Sequence, residues 1–410
     1  MKTIFAICTV FLFLNIVSNS QTANFYYDRG VEKLENKQYE EAIKDFKIVA
    51  EKDDYYWEAF HDMGVAYIEL EKYDEAIKEF TGALIAKKDY YEAYIKRAYT
   101  YIKLDKKKDA IKDFEQIIKL KPEYLPAYEK RGEMYLSFKE TEKAFADFSK
   151  AIELNTKNKQ VYFNRALINL QKEDTSKALS DLLSAIKLDN KYKEAYFESG
   201  KIYFKLKEYQ KAIANFTNAM NNGLNNSEVY KYRANAYYEN KKFKEAIGDY
   251  SKLITTYKSK DKEVFLKRGV SYNETLQPAL AIKDFNKAIV YDRSYFPAYY
   301  ERAVSYSKQG KSKQALALRD FGKAIELKSN CFEAYMKRGK HYFDYQKFEL
   351  AIKDFNKSIK YNKNPDAEIY YLRGATYFEI KDKSKACADL QKAKEMGHKK
   401  AAEVHGNFCY

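Results

Sequence analysis

A pattern of small and aromatic residues returns eleven times along this chain, mostly at intervals of 34 residues. Its clearest marker is an alanine followed four residues later by an aromatic residue, as in Ala42 and Phe46 or Ala76 and Phe80. A fixed period of this length predicts a solenoid of stacked repeats rather than one globular core. The later marker alanines are Ala110, Ala144, Ala178, Ala212, Ala246, Ala281, Ala317, Ala351 and Ala386.

Each repeat, numbered so that the marker alanine is position 20, contains the pattern of two helices. Positions 4, 8 and 11 lie on one face of a first helix, and positions 20, 24 and 27 on one face of a second. Position 4 is aromatic and position 8 is Gly or Ala in all eleven repeats. Small residues at 8 and 20 let the helices approach closely, and the rings fill the space around that contact. We therefore predict an all-α fold of antiparallel helix pairs.

This arrangement resembles the tetratricopeptide repeat, a helix pair of 34 residues with aromatic residues at positions 4 and 24 and small residues at 8 and 20. The resemblance covers residues 23–400. It implies a right-handed superhelix whose concave groove binds peptides or proteins. The chain departs from the family pattern at the proline near position 32. This proline occurs here as Pro122 in the third repeat, and the other repeats carry different residues there.

The period slips only after the seventh repeat. One extra residue falls near 257–262 and another near 362–366, both between repeats. Two extra residues fall in the ninth repeat, around 314–318, where Ala315 and Ala317 offer two registers for the second helix. We predict a longer helix or a local bulge in the ninth repeat.

Two charged positions vary together along the array. Position 7 is Arg in nine repeats and position 23 is Asp in nine, and the exceptions coincide: Met63 occurs with Glu79, and Ser199 with Asn215. We predict that the two side chains pair within a repeat, since a guanidinium can donate two hydrogen bonds to one carboxylate. The alternative, a row of arginines that awaits an anion, leaves the matched Asp unexplained.

The amino terminus follows a different pattern. Met1 and Lys2 precede an apolar run over residues 4–17, and small polar residues follow at 18–20. This order is typical of a secretory signal peptide, here residues 1–20, and the run is too short for a comfortable membrane span. We expect export to the periplasm or the extracellular space, with no transmembrane span in the mature chain. The alternative is a retained membrane anchor or an apolar start that arises by chance.

After the signal peptide we expect one array of about eleven repeats over residues 21–398 and a C-terminal capping helix over residues 399–410. Cys387 and Cys409 occupy positions that face each other when a first helix packs on the preceding second helix. In an exported protein these two residues can form a disulfide; the alternative is two buried free thiols. Cys331 has no evident partner.

The sequence contains no motif that indicates catalysis. The four His, at positions 61, 341, 398 and 405, lack the spacing of metal ligands, and no phosphate loop or nucleophile turn is found. We expect no enzymatic activity, no metal and no cofactor. The formal net charge of +15 comes from dispersed lysines, which favours a solvated surface, and a nucleic-acid partner is not expected.

The remaining candidate site is the concave groove, which the resemblance places on first-helix positions 2, 5, 6, 9, 12 and 13. Aromatic residues there, mixed with Lys and Glu, suit protein or peptide binding, although some of the rings could instead pack between repeats. The leading hypothesis is an exported scaffold that holds partner proteins or peptides, and the alternative is a module for envelope polysaccharide or glycan. The candidate groove residues are Phe163, Phe197, Tyr232, Tyr238, Tyr300, Phe343 and Tyr371.

Overall fold

The computed structural model describes residues 22–409, and this part of the chain contains 23 α-helices, one 3₁₀ turn and no strand. Successive helices pair through short turns, so the predicted all-α solenoid is confirmed. The helices divide by their contacts into two compact units, which we call unit 1 (residues 22–190) and unit 2 (residues 191–409). The signal peptide predicted at residues 1–20 lies outside the described residues.

Unit 1 consists of ten helices, alternately the first and the second of a repeat. They are α1 (residues 22–35), α2 (Tyr39–Lys52), α3 (Trp57–Glu69), α4 (Tyr73–Ala86), α5 (Tyr91–Lys103), α6 (Lys107–Leu120), α7 (Leu125–Ser137), α8 (Thr141–Glu153), α9 (Lys159–Gln171) and α10 (Thr175–Leu188).

Unit 2 continues the alternation and adds one terminal helix. Its helices are α11 (Lys193–Lys205), α12 (Tyr209–Asn221), α13 (Ser227–Glu239), α14 (Phe243–Thr255), α15 (Lys262–Glu274), α16 (Pro278–Tyr291), α17 (Phe296–Lys308), α18 (Gln314–Leu327), α19 (Phe332–Asp344), α20 (Phe348–Tyr361), α21 (Ala367–Glu379), α22 (Lys383–Glu395) and α23 (Lys399–Phe408).

The core of most repeats is a ring of the second helix pressed against the backbone of the first. Phe148 at position 24 is fully buried, and a Cβ added at Gly132 would lie 2.7 Å from its Cε1 atom. Position 8 must therefore stay small, because the ring occupies the space that a larger side chain would need. The same approach to a phenylalanine ring occurs at Gly30, Gly64, Gly200, Gly269 and Gly339.

Each first helix ends in a left-handed residue at position 15 of its repeat. After α7, Lys139 has φ 60°, its N–H donates to Leu136 O at 3.0 Å, and the next N–H, of Glu140, donates to Tyr135 O at 2.8 Å. This Schellman pattern satisfies carbonyls at the helix end and turns the chain back sharply. Ten repeats use a residue other than glycine there, and the ninth uses Gly310 with φ 85°.

All nine predicted Arg–Asp pairs form, so this prediction is confirmed. In the fourth repeat, Nε and Nη2 of Arg131 donate to the two carboxylate oxygens of Asp147 at 2.9 and 2.7 Å. The Asp side chain is only 6% exposed, so the fork neutralises a buried charge. The pairs are Arg29–Asp45, Arg97–Asp113, Arg131–Asp147, Arg165–Asp181, Arg233–Asp249, Arg268–Asp284, Arg302–Asp320, Arg338–Asp354 and Arg373–Asp389.

The guanidinium also contacts rings and the preceding repeat, which the covariation did not reveal. The Cζ atom of Arg131 lies 6.0 and 5.6 Å from the ring centroids of Tyr128 and Tyr135, at positions 4 and 11. In six repeats Nη1 donates to position 25 of the preceding repeat, whereas Arg338 faces Gly322, which offers no side-chain acceptor. The six bonds are Arg97–Thr81, Arg165–Ser149, Arg233–Thr217, Arg268–Ser251, Arg302–Asn286 and Arg373–Asn356.

Two repeats replace the Tyr at position 11 by a polar residue, and both replacements serve the same carboxylate. Nζ of Lys33 donates to Asp45 at 2.7 Å. Nδ2 of Asn169 donates to Asp181 at 3.2 Å. These exceptions in the pattern therefore add a donor to the buried Asp instead of weakening the repeat.

The insertion of the ninth repeat forms a 3₁₀ turn, Lys311–Lys313, between α17 and α18. With 14 residues, α18 equals α16 in length, so neither the expected longer helix nor a bulge within it is observed. The extra residues are accommodated before the helix begins, where Gly310 takes up the left-handed backbone. The pair Arg302–Asp320 is kept although its members are 18 residues apart instead of 16.

The last two helices are covalently joined. A disulfide links Cys387 on α22 to Cys409 after α23, with 5.6 Å between the Cα atoms. Nδ1 of His398 accepts the Ala401 N–H at 3.0 Å and caps the start of α23. Cys331, before α19, is a buried free thiol.

Replacing Arg131 by methionine leaves Asp147 buried without its counter-charge. We expect the local free energy of unfolding to fall by about 2–4 kcal/mol, since an unpaired buried carboxylate is costly. Adding Asp147→Asn, which copies the neutral residue of the sixth repeat, restores part of this loss. Amide hydrogen exchange in α7 and α8 measures the change.

The matched control is Lys112→Met, which breaks the exposed pair of Lys112 with Asp109. We expect a much smaller loss there than for Arg131→Met, because exposed ion pairs contribute little. Losses of equal size for Arg131→Met and Lys112→Met would contradict a structural role of the buried pair.

The double substitution Cys387→Ser with Cys409→Ser opens a loop of 22 residues. We expect α23 to be destabilised by about 3 kcal/mol, because the closed loop restricts the unfolded chain. Exchange of α23 amides should rise, while exchange in α11 should stay unchanged, since repeats are coupled mainly to their neighbours. The control is wild-type protein treated with reductant, which lacks the disulfide but keeps both cysteines. Unchanged exchange in α23 of the double variant would refute the prediction.

Candidate functional site

The first helices of unit 1 carry a groove made of two adjoining cavities, which we call the α5 groove. The larger cavity has a volume of about 570 Å³, and its wall includes Ile68 of α3 and Ile95 of α5. The second has a volume of about 390 Å³ and includes Met134 of α7. Tyr99 and Ile102 belong to both cavities, so the two meet along α5.

Helical spacing explains why these apolar side chains face the groove. Ile95, Tyr99 and Ile102 occupy positions 5, 9 and 12 of the third repeat and follow the i, i+4, i+7 spacing of one helix face. The packed positions 4, 8 and 11 lie on a different face. Tyr99 is 37% exposed, and its ring meets Phe114 edge-on, with 6.1 Å between centroids. The groove therefore has an apolar floor anchored in the core.

Lysines surround this floor. Lys96 and Lys103 are exposed and make no ion pair with any carboxylate between residues 22 and 409. Lys107 pairs with Asp105 at 3.3 Å, and Lys130 with Glu133 at 3.0 Å. The rim thus carries an excess of positive charge.

The phenol of Tyr99 adds a polar group to the floor. Burial raises the pKa of Tyr99, and the ammonium of Lys130 opposes that rise. The hydroxyl therefore stays protonated at neutral pH and can donate a hydrogen bond to a ligand.

The seven aromatic candidates are divided between the units: Phe163 lies on α9 of unit 1, half-buried, and the other six lie in unit 2. Phe197 is only 7% exposed and meets Tyr232 edge-on at 5.7 Å between centroids. Tyr232 also lies 5.7 Å from Phe216 of the core. These two candidates are thus engaged in packing within unit 2.

Glu301 follows Tyr300 in α17, and its charge contributes to the raised pKa of both Tyr238 and Tyr300. Its carboxyl group makes no ion pair among the described residues. Burial raises the pKa of Glu301 to about 7. Burial also raises the pKa of Tyr238 to about 12, with a further contribution from Glu301. Nζ of Lys267 lies 5.3 Å from the Tyr238 ring centroid, and Tyr300 meets Phe321 at 5.9 Å.

The last two candidates also contact neighbouring rings. Phe343 meets Phe348 edge-on at 5.8 Å between centroids. Tyr371 stacks on the imidazole of His398 at 4.4 Å, and Nε2 of His398 lies 3.0 Å from a carboxylate oxygen of Glu368. Among the candidates of unit 2, the structure brings Phe197 and Tyr232 into direct contact.

Ile68, Ile95 and Ile102 were not among the residues expected in the groove. An aliphatic residue in a helix usually indicates core, so their type gave no signal. Their register in the helices did give a signal. They occupy positions 12, 5 and 12, which lie outside the packed face formed by positions 4, 8 and 11.

No group of three or more His, Cys, Asp or Glu side chains within residues 22–409 is arranged to hold a metal ion. In the same part of the chain, no helix has the length and apolar character needed to cross a membrane.

Several solved structures resemble the chain at low sequence identity. A tetratricopeptide repeat protein from Parabacteroides merdae is 21% identical, with a TM-score of 0.45, over 62% of this chain and 99% of that one. YrrB, described as a TPR protein with an unusual peptide-binding site, is 22% identical, with a TM-score of 0.42, over 46% and 95%. Yeast Tom70 is 16% identical, with a TM-score of 0.36, over 95% and 98%. No protein of curated function matches the chain.

Sequence profiles of one repeat family match the chain in both units. Two profiles, each described as tetratricopeptide repeat, match residues 27–94, 91–124, 125–158, 159–192, 197–262, 332–365 and 367–396. Together these stretches cover more than half of the chain, and they coincide with the helix pairs described above. The chain belongs to the tetratricopeptide repeat family.

Proposed function

We propose that the protein is an exported scaffold that binds a segment of a partner protein in the α5 groove. The observation that carries this proposal is an open apolar floor, centred on Tyr99, beside two lysines that have no carboxylate partner among residues 22–409. Apolar side chains left open on a surface favour a partner that covers them. Aromatic residues in the middle of such a surface contribute most to binding energy.

The dimensions of the floor suit a peptide segment. Ile95 and Ile102 are seven residues apart, which places them about 10 Å apart along α5. Two or three side chains of a bound segment can lie along that distance. Lys96 and Lys103 favour acidic residues beside the apolar anchor, because complementary charge guides the encounter and excludes basic segments.

A glycan partner has less support. A sugar ring would stack on an exposed aromatic face, but Phe197 and Tyr232 contact each other and the core. The apolar floor of the α5 groove is largely aliphatic, which suits a peptide side chain better than a sugar.

Export rests on two observations. The apolar run over residues 4–17 follows a basic start, as in secretory signals. Disulfides such as Cys387–Cys409 persist mainly in oxidising compartments outside the cytoplasm.

The groove is tested with peptides selected from a displayed random library on the purified full chain. We expect Tyr99→Ala to weaken binding of the selected peptides at least about tenfold, since a central aromatic contributes about 1–2 kcal/mol or more. Fluorescence anisotropy of labelled peptides measures the dissociation constants.

The control is Tyr55→Ala, which removes a tyrosine that is 76% exposed and lies before α3, outside the groove walls. We expect this variant to bind as the wild type does. Selected peptides that bind Tyr99→Ala as tightly as the wild type, or a library that yields no binder, would exclude the α5 groove as the peptide site.

Export is tested by fusing residues 1–30 to alkaline phosphatase, a reporter that becomes active only after reaching an oxidising compartment. We expect activity for this fusion and none when residues 4–17 are deleted. Protein isolated from its host should begin near Gln21. An amino terminus that still carries Met1 would overturn the assignment.

A further inference from the structure

Unit 2 contains a separate cavity at the insertion of the ninth repeat, which we call the α19 cavity. It has a volume of about 320 Å³ and lies between α17, α18 and α19. Its floor is apolar, with Val304 and Phe321, and its wall includes Ser307 and His341. It shares no residue with the α5 groove.

The imidazole of His341 is fixed by a directed chain of hydrogen bonds. Nε2 of Gln314 lies 3.1 Å from Nδ1 of His341, and Nε2 of the ring lies 2.7 Å from Oγ of Ser307. Because an amide N–H only donates, Nδ1 accepts and the ring proton lies on Nε2. Oγ of Ser307 in turn donates to the Ala303 carbonyl at 2.9 Å.

This arrangement makes His341 a neutral part of the wall. Both ring nitrogens have a partner, and burial lowers the pKa of His341, a shift that Asp344 partly opposes. The charge of the cavity therefore comes from its lysines.

The inserted turn places the glutamine that completes this chain. Gln314 is the first residue of α18, directly after the 3₁₀ turn, and is only 9% exposed. His341 occupies position 10, where the neighbouring repeats carry Ser305 and Thr376. The imidazole and its amide partner thus occur where the period slips.

Three lysines line the cavity: Lys308, Lys337 and Lys340. Lys337 and Lys340 are exposed and have no ion pair within the described part of the chain. Lys308 donates to the Asn273 carbonyl at 3.4 Å and lies 3.9 Å from Glu274, a weak pair. Asp344 is the one carboxylate among the lining residues, so the wall has an excess of positive charge.

We propose that the α19 cavity binds an acidic segment of a partner protein. Two carboxylates of the segment contact Lys337 and Lys340, and a neighbouring apolar side chain packs against the partly exposed Val304, which lies next to the buried Phe321 in the cavity wall. The volume lies in the range of sites for ligands of several side chains, and it exceeds the space of one small anion. Charge complementarity selects acidic over basic segments. The α19 cavity and the α5 groove are independent sites, so either can exist without the other.

The test uses two pools of hexapeptides on the full chain. One pool carries two fixed Glu and one fixed Leu, the other carries Lys in place of Glu, and the remaining positions are random. The Tyr99→Ala substitution is present in every protein, so that retained peptides report on the α19 cavity rather than on the α5 groove. Mass spectrometry measures the retained amount of each pool.

We expect the Glu pool to be retained well above the Lys pool, and Lys337→Glu with Lys340→Glu to lower its retention at least about tenfold. The matched control is Lys353→Glu with Lys363→Glu, the same change of charge at two exposed lysines outside the cavity. We expect that control to retain the Glu pool within about twofold of its parent. Unchanged amide exchange in α19 shows that the cavity variant remains folded.

Three outcomes would overturn the proposal. Equal retention of the Glu and Lys pools excludes recognition of acidic segments. Equal losses of Glu-pool retention in the Lys337→Glu, Lys340→Glu variant and in the control variant would show that binding depends on net charge alone. Complete displacement of the Glu pool by inorganic phosphate identifies a simple anion site instead of a peptide site.

Discussion

A carboxylate can stay buried in the second helix of a repeat only if a fixed cation meets it, and this requirement organises the whole array. Asp147 and its eight equivalents each receive a two-pronged bond from the Arg of the first helix. The same guanidinium lies between the rings at positions 4 and 11 and, in six repeats, reaches the preceding repeat. Pairing within a repeat and stacking between repeats therefore depend on one side chain.

The fold and this pairing could be predicted from the sequence for different physical reasons. The period alone predicts stacking, because a helix pair cannot bury its apolar faces without neighbours. The pairing was visible because Met63 and Glu79 depart from the pattern together. The third bond was hidden, since Thr81, Ser149 and Asn286 share an acceptor atom but not a residue type.

The candidate site was harder to predict, because the position of a residue in the helical repeat does not determine which neighbour its ring packs against. A side chain such as Phe197 at the edge of a face can lean into the groove or against the next helix, and packing with Tyr232 decides between them. For an aliphatic residue such as Ile95, the residue type does not separate groove floor from core, and only its register in the helix does. The α19 cavity forms beside the inserted residues, which could have been accommodated either before α18 or within it. They lie before α18, after the left-handed backbone of Gly310, in the turn Lys311–Lys313.

Gly322 has a consequence for how the array responds to heat. In a one-dimensional chain of repeats, the strength of each junction sets how far a local opening spreads before it stops. Arg302 and Arg373 bridge their junctions through Asn286 and Asn356, but Arg338 finds no side chain at Gly322. The interface of α18 with α19 therefore lacks this arginine bond, although the hydrogen bond of Gln314 with His341 and apolar packing still join the two helices. On heating, local opening should therefore stop more readily at this junction than at one that keeps the bond, such as that of Arg302 with Asn286.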